Sequence, residues 1–174
     1  MHTFSELVQL STVFSLNALE SAQNSALEGL QTSASTSLVK ALQMVQLQRS
    51  ITAVGMFSMF DAILQNQLQC ADGFKEVARL LETRGQVALK ERLSDLQLAV
   101  NVLKHGTGRS YETLVQKATS LPFRVKLPSE AFFNEGDVAE VSTLVEVDDA
   151  FVLLCADVIR DVSLAIKPTV QHGV

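Results

Sequence analysis

The length, composition and charge of the chain set the first limits on its class. Its 174 residues suffice for one domain with its own core, and we expect residues 1–174 to form a single helical domain. With 47% hydrophobic residues, three prolines and eight glycines, the composition excludes extensive disorder and favours helices over strands. A net charge of −5 argues against broad nonspecific DNA binding, which requires clustered Lys and Arg side chains.

The N-terminal segment and the two cysteines indicate a cellular compartment. No basic region precedes the first apolar residues, so the segment does not resemble a secretory signal. No window reaches the roughly 18 consecutive apolar residues of a membrane span. Cys70 and Cys155 lie far apart without Cys or His neighbours, which predicts two buried, reduced thiols. We therefore expect a cytoplasmic protein that has no membrane partner.

Apolar residues at helical spacing predict three helices in the first half of the chain. The first covers residues 3–30 and is followed by the small polar run 32–37, which predicts a turn and a new helix start. The second covers about 38–69, and because its middle is apolar on more than one side, we expect it to lie centrally. A short third helix follows the break at 70–73 and ends near Gly85, a predicted C-cap.

The helix predicted over 86–105 has the most regular periodicity in the sequence. Its apolar residues from Leu89 to Leu103 recur at spacings of four and three, which places them on one stripe. Leu98 and Val102 lie on a second apolar face, which predicts burial between layers or contact with a second subunit, and we expect a dimer contact. The turn at 106–108 ends this helix, and a short helix over about 110–119 follows.

From residue 123 onward the pattern changes. Residues 123–127 and 143–147 alternate in polarity, which predicts a small antiparallel β-ribbon with a long loop between its strands. A final helix begins at Asp148 and Asp149 and reaches about Lys167, and we expect residues 168–174 to form a flexible tail. The predicted fold is mainly α, a single-domain bundle of about six helices with a small β-ribbon near the C-terminus.

Polar side chains concentrate at the end of the 86–105 helix and in the glycine turn after it. These residues are Asn101, Lys104, His105, Arg109 and Tyr111. A histidine with a pKa of about 6.5 can transfer protons, and the cations together with turn amides can hold a phosphate. The set would suit metal-independent RNA cleavage, with His105 and Arg109 as catalytic candidates and the other three as substrate-binding candidates.

A purely structural interpretation of the same residues stays open. Lys104 and His105 are favourable at a helix C-terminus, and Arg109 can pair with Glu112. Asp61 lies in an apolar segment of the second helix, and a buried acid requires a partner. We expect Lys104, His105 or Arg109 to be that partner, so Asp61 joins the substrate-binding candidates.

The sequence contains no motif for a cofactor or a metal ion. Neither GxGxxG nor GxxxxGK[ST] occurs, and the three histidines, at positions 2, 105 and 172, are too dispersed for a zinc site. Asp157 and Asp161 share a helix face but lack the further oxygen ligands that a divalent cation needs. We therefore predict no cofactor and no metal ion.

The spacing Asn101-x-x-Lys104-His105 at the end of a helix resembles the motif of the HEPN group. This all-helical family includes RNA-cleaving toxins and defence proteins as well as noncatalytic binders. Its motif carries an Arg before the His, whereas residues 98–100 are Leu, Ala and Val here. The resemblance implies a helical homodimer in which the motif helices of the two subunits face each other.

Two functions from different classes stay open. The first is a noncatalytic interaction or binding module that forms a homodimer or binds a protein partner; the missing Arg and the acidic balance favour it. The alternative is a HEPN-like metal-independent ribonuclease, or a nucleotide- or RNA-binding domain, that uses residues 101–111. The density of polar groups around the Gly-x-Gly turn favours this second function.

Overall fold

Helices make up most of the chain. The structure is a computed structural model that describes residues 3–167, and the predicted tail at 168–174 lies outside the described residues. Within the described range there are six α-helices: α1 (Phe4–Thr32), α2 (Thr36–Leu68), α3 (Gly73–Thr83), α4 (Val87–His105), α5 (Arg109–Gln116) and α6 (Asp149–Ile166). The prediction of a mainly α bundle is confirmed.

Side-chain caps fix the start of several helices. The hydroxyl of Thr3 accepts from the Glu6 N–H, and the Glu6 carboxylate accepts from the Thr3 N–H, which forms a capping box at the start of α1. Asp72 caps α3 and Asp148 caps α6, each by accepting a backbone N–H three residues ahead. These local signals explain why the predicted starts are close to the observed ones.

Helix α6 forms the centre of the bundle. It packs against α1, α2, α3 and α4. Val152, Cys155, Ile159 and Val162 form one fully buried stripe, and Ala156 and Val158 on either side of it widen the buried surface to nearly half of the circumference. A helix with so wide an apolar surface is stable in water only when neighbouring helices cover that surface, as they do here.

The aromatic part of the core joins the ends of α1, α2 and α3. Phe57 and Phe60 of α2 lie 5.8 and 6.1 Å from the ring of Phe74 in α3, measured between ring centroids. Phe4 of α1 stacks on Phe60 at 6.3 Å. Such aromatic contacts add to the free energy of area burial, so this corner is a firm attachment point for α1.

Helix α4 is buried on two sides by the chain itself. Leu93 and Leu96 of its regular stripe are in the core, as the periodicity predicts. Val102, on the second apolar face, is only 2% exposed, and Leu98 packs partly buried against the same core. Packing within the chain therefore occupies the face that was expected to contact a second subunit, and α4 lies between layers of one molecule.

The only charged residue between Lys40 and Asp61 in the sequence is buried. Arg49 of α2 donates from Nε to Oδ1 of Asp149 at 2.6 Å, and from Nη2 to Oε1 of Gln23 at 2.8 Å. These bonds join α1, α2 and α6 around one guanidinium. The charge of Arg49 is thus satisfied inside the bundle.

The predicted β-ribbon is wrong. The described residues form no strand, and the two alternating runs meet at a single antiparallel bridge between Val125 and Val145. Neighbouring backbone N–H groups bind other acceptors. The Leu127 N–H donates to the Glu130 carboxylate at 2.8 Å, and the Thr143 N–H donates to the carbonyl of Val141 at 2.8 Å, which closes a tight turn. Because a ladder needs successive free N–H groups, these turns limit the pairing to one bridge.

Candidate functional site

The corner between α4 and α5 contains most of the predicted site residues. Gly106, at φ 74°, ends α4, and its N–H donates to the carbonyl of Val102 at 2.8 Å. A shallow cavity of about 250 Å³ lies beside this turn, and its lining includes Asn101, His105 and Arg109. The structure therefore brings both catalytic candidates and one substrate-binding candidate to the same surface.

The polar side chains at this corner have no partners among the described residues. Lys104, His105 and Arg109 are exposed, and none of them makes a side-chain hydrogen bond or an ion pair there. The Arg109–Glu112 pair, one part of the structural interpretation, is not formed. The start of α5 has no side-chain cap, so its N–H groups add a partial positive charge.

This arrangement can attract an anion, but it does not orient a catalytic group. A general base needs a neighbour that fixes the tautomer and direction of its ring, and transition-state stabilisation needs preorganised donors. Within residues 3–167 no such neighbour contacts His105. The positive charge of the corner suits phosphate binding, and no described side chain holds the ring of His105 in one orientation.

Tyr111 is not part of this exposed cluster. Its ring is 8% exposed, and its hydroxyl donates to the backbone carbonyl of Lys126 at 2.5 Å. This bond attaches α5 to the segment that contains the bridge. Because the donor is already used in a buried position, the contact gives Tyr111 a structural role.

Asp61 lies in a separate cavity together with two other candidates. This cavity, of about 370 Å³, lies between α2, the start of α3 and α4, and Asn101 and Lys104 also line it. Oδ2 of Asp61 accepts from Nε2 of Gln65 at 2.8 Å. Asp61 makes no ion pair with Lys104, His105 or Arg109, the partners expected from the sequence. Asn101 lines both cavities and lies between the two groups of candidates.

The start of α3 explains the position of Asp61. A Cβ atom at Gly73 would lie 2.9 Å from Oδ1 of Asp61 and 2.7 Å from Cβ of Leu64, so only glycine allows this approach. Oδ1 of Asp61 is buried and has no hydrogen-bond partner among the described residues. It faces the positive end of the α3 dipole, which stabilises a carboxylate electrostatically. Asp61 thus attaches α2 to α3.

A large apolar surface on α1 and α2 is the feature that sequence reasoning missed. Side chains that are about half exposed or more line one side of the two longest helices; we call this surface the α1/α2 face. Its members are Leu7, Leu10 and Phe14 of α1, and Met44, Leu47, Ile51 and Met59 of α2. Phe14 is 76% exposed, Leu10 63% and Met59 60%. A groove of about 620 Å³ runs between the two helices.

The α1/α2 face points away from the core. At about 100° per residue, Leu7, Leu10 and Phe14 lie nearly opposite the buried side of α1, which Val8 and Leu16 define. Helix α2 has the same arrangement. Helix α2 and the Leu7–Phe14 part of α1 are therefore apolar on their core side and also on the side turned to solvent.

A charge pattern in the sequence marks this surface. No charged residue occurs at positions 7–19, and Arg49 is the only one at positions 41–60. Two hydroxyls on the groove, those of Ser11 and Thr52, donate to carbonyls of their own helices at 3.1 and 2.8 Å. The face thus presents no charge to solvent, although the groove is also lined by Thr12, whose buried hydroxyl has no hydrogen-bond partner among the described residues.

No family model, curated protein or solved structure matches the chain. None of the helices described over residues 3–167 is long and apolar enough to cross a membrane. The same residues contain no group of three or more His, Cys, Asp or Glu side chains that could hold a metal ion. The function is therefore inferred from surfaces and contacts within this molecule.

Proposed function

We propose that the chain is a noncatalytic helical interaction module of the cytoplasm, which binds another polypeptide through the α1/α2 face. The exposed apolar surface of the two longest helices carries this proposal. The face extends about 22 Å along α2, from Met44 to Met59, and about 10 Å along α1, from Leu7 to Phe14, so at about 10 Å of width per helix it covers roughly 320 Å² in projection. Contiguous apolar patches of several hundred Å² on a protein surface usually serve binding.

The position of α4 also supports this choice of surface. The HEPN resemblance implies that motif helices face each other in a dimer, but Val102 is already buried within its own chain. The end of α4 is polar and exposed, whereas α1 and α2 offer uncovered apolar area. Burial of that area would supply the free energy of association.

The alternative function is phosphate or RNA binding at the α4–α5 corner. Its supporting observation is the set of unpaired cations, Lys104 and Arg109, beside His105 and the uncapped start of α5. An RNA-cleavage assay without added metal, on the wild-type protein and His105→Ala, separates the two functions. We expect no cleavage by either protein. Cleavage that is lost in His105→Ala would replace the interaction module with a ribonuclease.

Photo-crosslinking in producing cells tests the interaction module directly. The photoreactive residue benzoylphenylalanine is placed at position 14 and, as an aromatic control, at position 132, where Phe132 is 57% exposed outside the face. We expect a discrete adduct from position 14 only. The adduct should disappear when Leu10→Glu is added to the same chain, because a charge on the face prevents burial. No adduct at position 14, or equal adducts at both positions, would overturn the proposal.

A further inference from the structure

We infer that the polypeptide bound by the α1/α2 face is a second copy of this chain, with the Gly55 residues of the two copies close to the twofold axis. The inference rests on the proposed function and names its partner. Two observations carry it: a glycine that nothing within the chain explains, and an apolar face that carries no charge.

Gly55 lies in the interior of the 33-residue helix α2, on the groove and between Ile51 and Met59. It does not have a positive φ. Apart from its chain neighbours and the backbone of its own helical turns, a Cβ atom placed on it would meet no atom of residues 3–167 within 4 Å. Glycine destabilises a helix interior relative to alanine, and here neither backbone conformation nor intrachain packing requires it.

The other helical glycines show the contrast. A Cβ atom at Gly73 would contact Leu64 at 2.7 Å, and one at Gly29 would contact Leu38 at 2.9 Å, so each of these glycines allows a close approach within the chain. Among the helices described over residues 3–167, only α2 contains a glycine that faces open space. The close approach of a helix from another molecule would explain the glycine at position 55, because the distance between packed helices depends on the size of the side chains at their contact.

The absence of charge points to a second copy rather than to a different protein. In a twofold dimer the same patch lies on both sides of the interface, so a charged residue near the axis meets its own copy. Positions 7–19 carry no charge, and the guanidinium of Arg49 is directed into the core, so this repulsion does not arise. A heterologous partner would instead be selected through complementary charges, which this face does not offer.

The size of the face agrees with a dimer. Two copies would cover about 640 Å² in projection, and because protruding side chains expose more area than their projection, the accessible area approaches the roughly 1,000 Å² of a specific interface. Phe14 and Leu10, the most exposed apolar side chains of α1, would then be removed from water by the partner's α1 and α2. The result is a layer of four helices, two from each copy, packed across the groove.

Sedimentation velocity on the purified full chain, from nanomolar to high micromolar concentration, tests the partner. We expect reversible dimerisation by the wild-type protein. Phe14→Glu should remain monomeric at every concentration, since it places a charge against its own copy. The control is Leu164→Glu, because Leu164 is 55% exposed on α6, outside the face. This variant should dimerise like the wild type.

Gly55→Ala provides the sharper test because its two expected effects have opposite signs. In dilute solution, where the protein is monomeric, the added methyl group meets open space and improves helix propensity, so Tm should rise by about 2 °C. At the twofold axis the same methyl group separates the helices, and Kd should rise at least tenfold. A weaker dimer formed by a more stable monomer cannot result from misfolding.

The outcomes separate this inference from the proposed function. If the wild-type protein stays monomeric, the inference that the partner is a second copy is overturned. If position 14 then crosslinks to a protein of different mass, the proposed interaction module still stands. A crosslinked adduct of twice the 18.9 kDa chain supports both proposals. A dimer that withstands both Phe14→Glu and Gly55→Ala must form through another surface, which overturns the inference.

Discussion

The segment between α5 and α6 is organised by a buried ion pair, which makes Glu140 a sensitive position. Nζ of Lys126 lies 2.9 Å from Oε1 of Glu140, and the two side chains are only 9% and 10% exposed. The carboxylate also accepts the N–H groups of Phe133 and Asn134, at 2.9 and 3.1 Å. The ammonium additionally lies 4.6 Å from the centre of the Phe133 ring.

Glu140→Gln removes the negative charge and keeps the size of the side chain. The amide oxygen can still accept one backbone N–H, but the ammonium of Lys126 is left buried without an opposite charge. We expect the free energy of unfolding, measured by urea denaturation, to fall by about 3 kcal/mol. Tm should fall by about 9 °C for a domain of this size.

A matched variant in the same segment tests whether burial causes this loss. Glu130 pairs with Arg124, but those side chains are 32% and 42% exposed, so Glu130→Gln should cost far less than Glu140→Gln. Equal unfolding free energies for wild type and Glu140→Gln would refute the reasoning, because the pair would then contribute nothing.

The same carboxylate makes stability depend on pH. Burial alone raises the pKa of Glu140, but the Lys126 ammonium and the N–H groups of Phe133 and Asn134 outweigh it and hold the pKa below its usual value of 4.5. A lowered pKa stabilises the fold fully above pH 4.5, and this stabilisation is lost as pH falls through the folded-state pKa. Unfolding free energy should therefore fall less steeply with acidification in Glu140→Gln than in the wild type.

Three further predictions concern individual contacts. Gly73→Ala forces α3 away from α2 and should cost about 2 kcal/mol in urea unfolding; an unchanged midpoint would contradict the close contact. Tyr111→Phe removes the bond to the Lys126 carbonyl and should cost about 1 kcal/mol, while any RNA binding in gel shift stays unchanged. Burial raises the pKa of the Cys155 thiol, so mass spectrometry should find only Cys70 alkylated in the native protein, and both after denaturation.

The number and limits of the helices were predictable because their signals are local. The end of α4 was expected at His105 and lies there, since the glycine turn interrupts the helix whatever its surroundings. The start of α6 was expected at Asp148 and Asp149, and Asp148 caps the first turn through the Phe151 N–H. Such signals act within four residues and need no knowledge of the fold.

The direction of each apolar face was less predictable because it depends on distant residues. Periodicity identified Leu7 and Phe14 as apolar members of the first helix, but it cannot distinguish a side covered by α6 from a side turned to solvent. The prediction of a β-ribbon was wrong for a related reason. Alternation at 123–127 and 143–147 was genuine, but local turns had already used the backbone groups that a ladder requires.

The candidate site was only partly predictable for the same physical reason. Sequence spacing correctly indicated that Asn101 and His105 share one end of α4, and both line the same cavity. It could not show that Tyr111 donates to a carbonyl fifteen residues away, or that Asp61 faces the start of α3. Both contacts depend on packing between segments that are separate in the sequence, which no short sequence pattern encodes.

The two candidate surfaces differ in whether exposure of their side chains to water is unfavourable. Lys104, His105 and Arg109 are exposed and hydrated, and a charged side chain in water needs no partner, so their lack of contacts does not imply a ligand. Phe14 and Leu10 are exposed and apolar, and water disfavours a contiguous apolar surface, so covering them would release free energy, which supports the proposed partner. We therefore place the proposed interaction surface on α1 and α2, although the chemically richer residues lie at the end of α4.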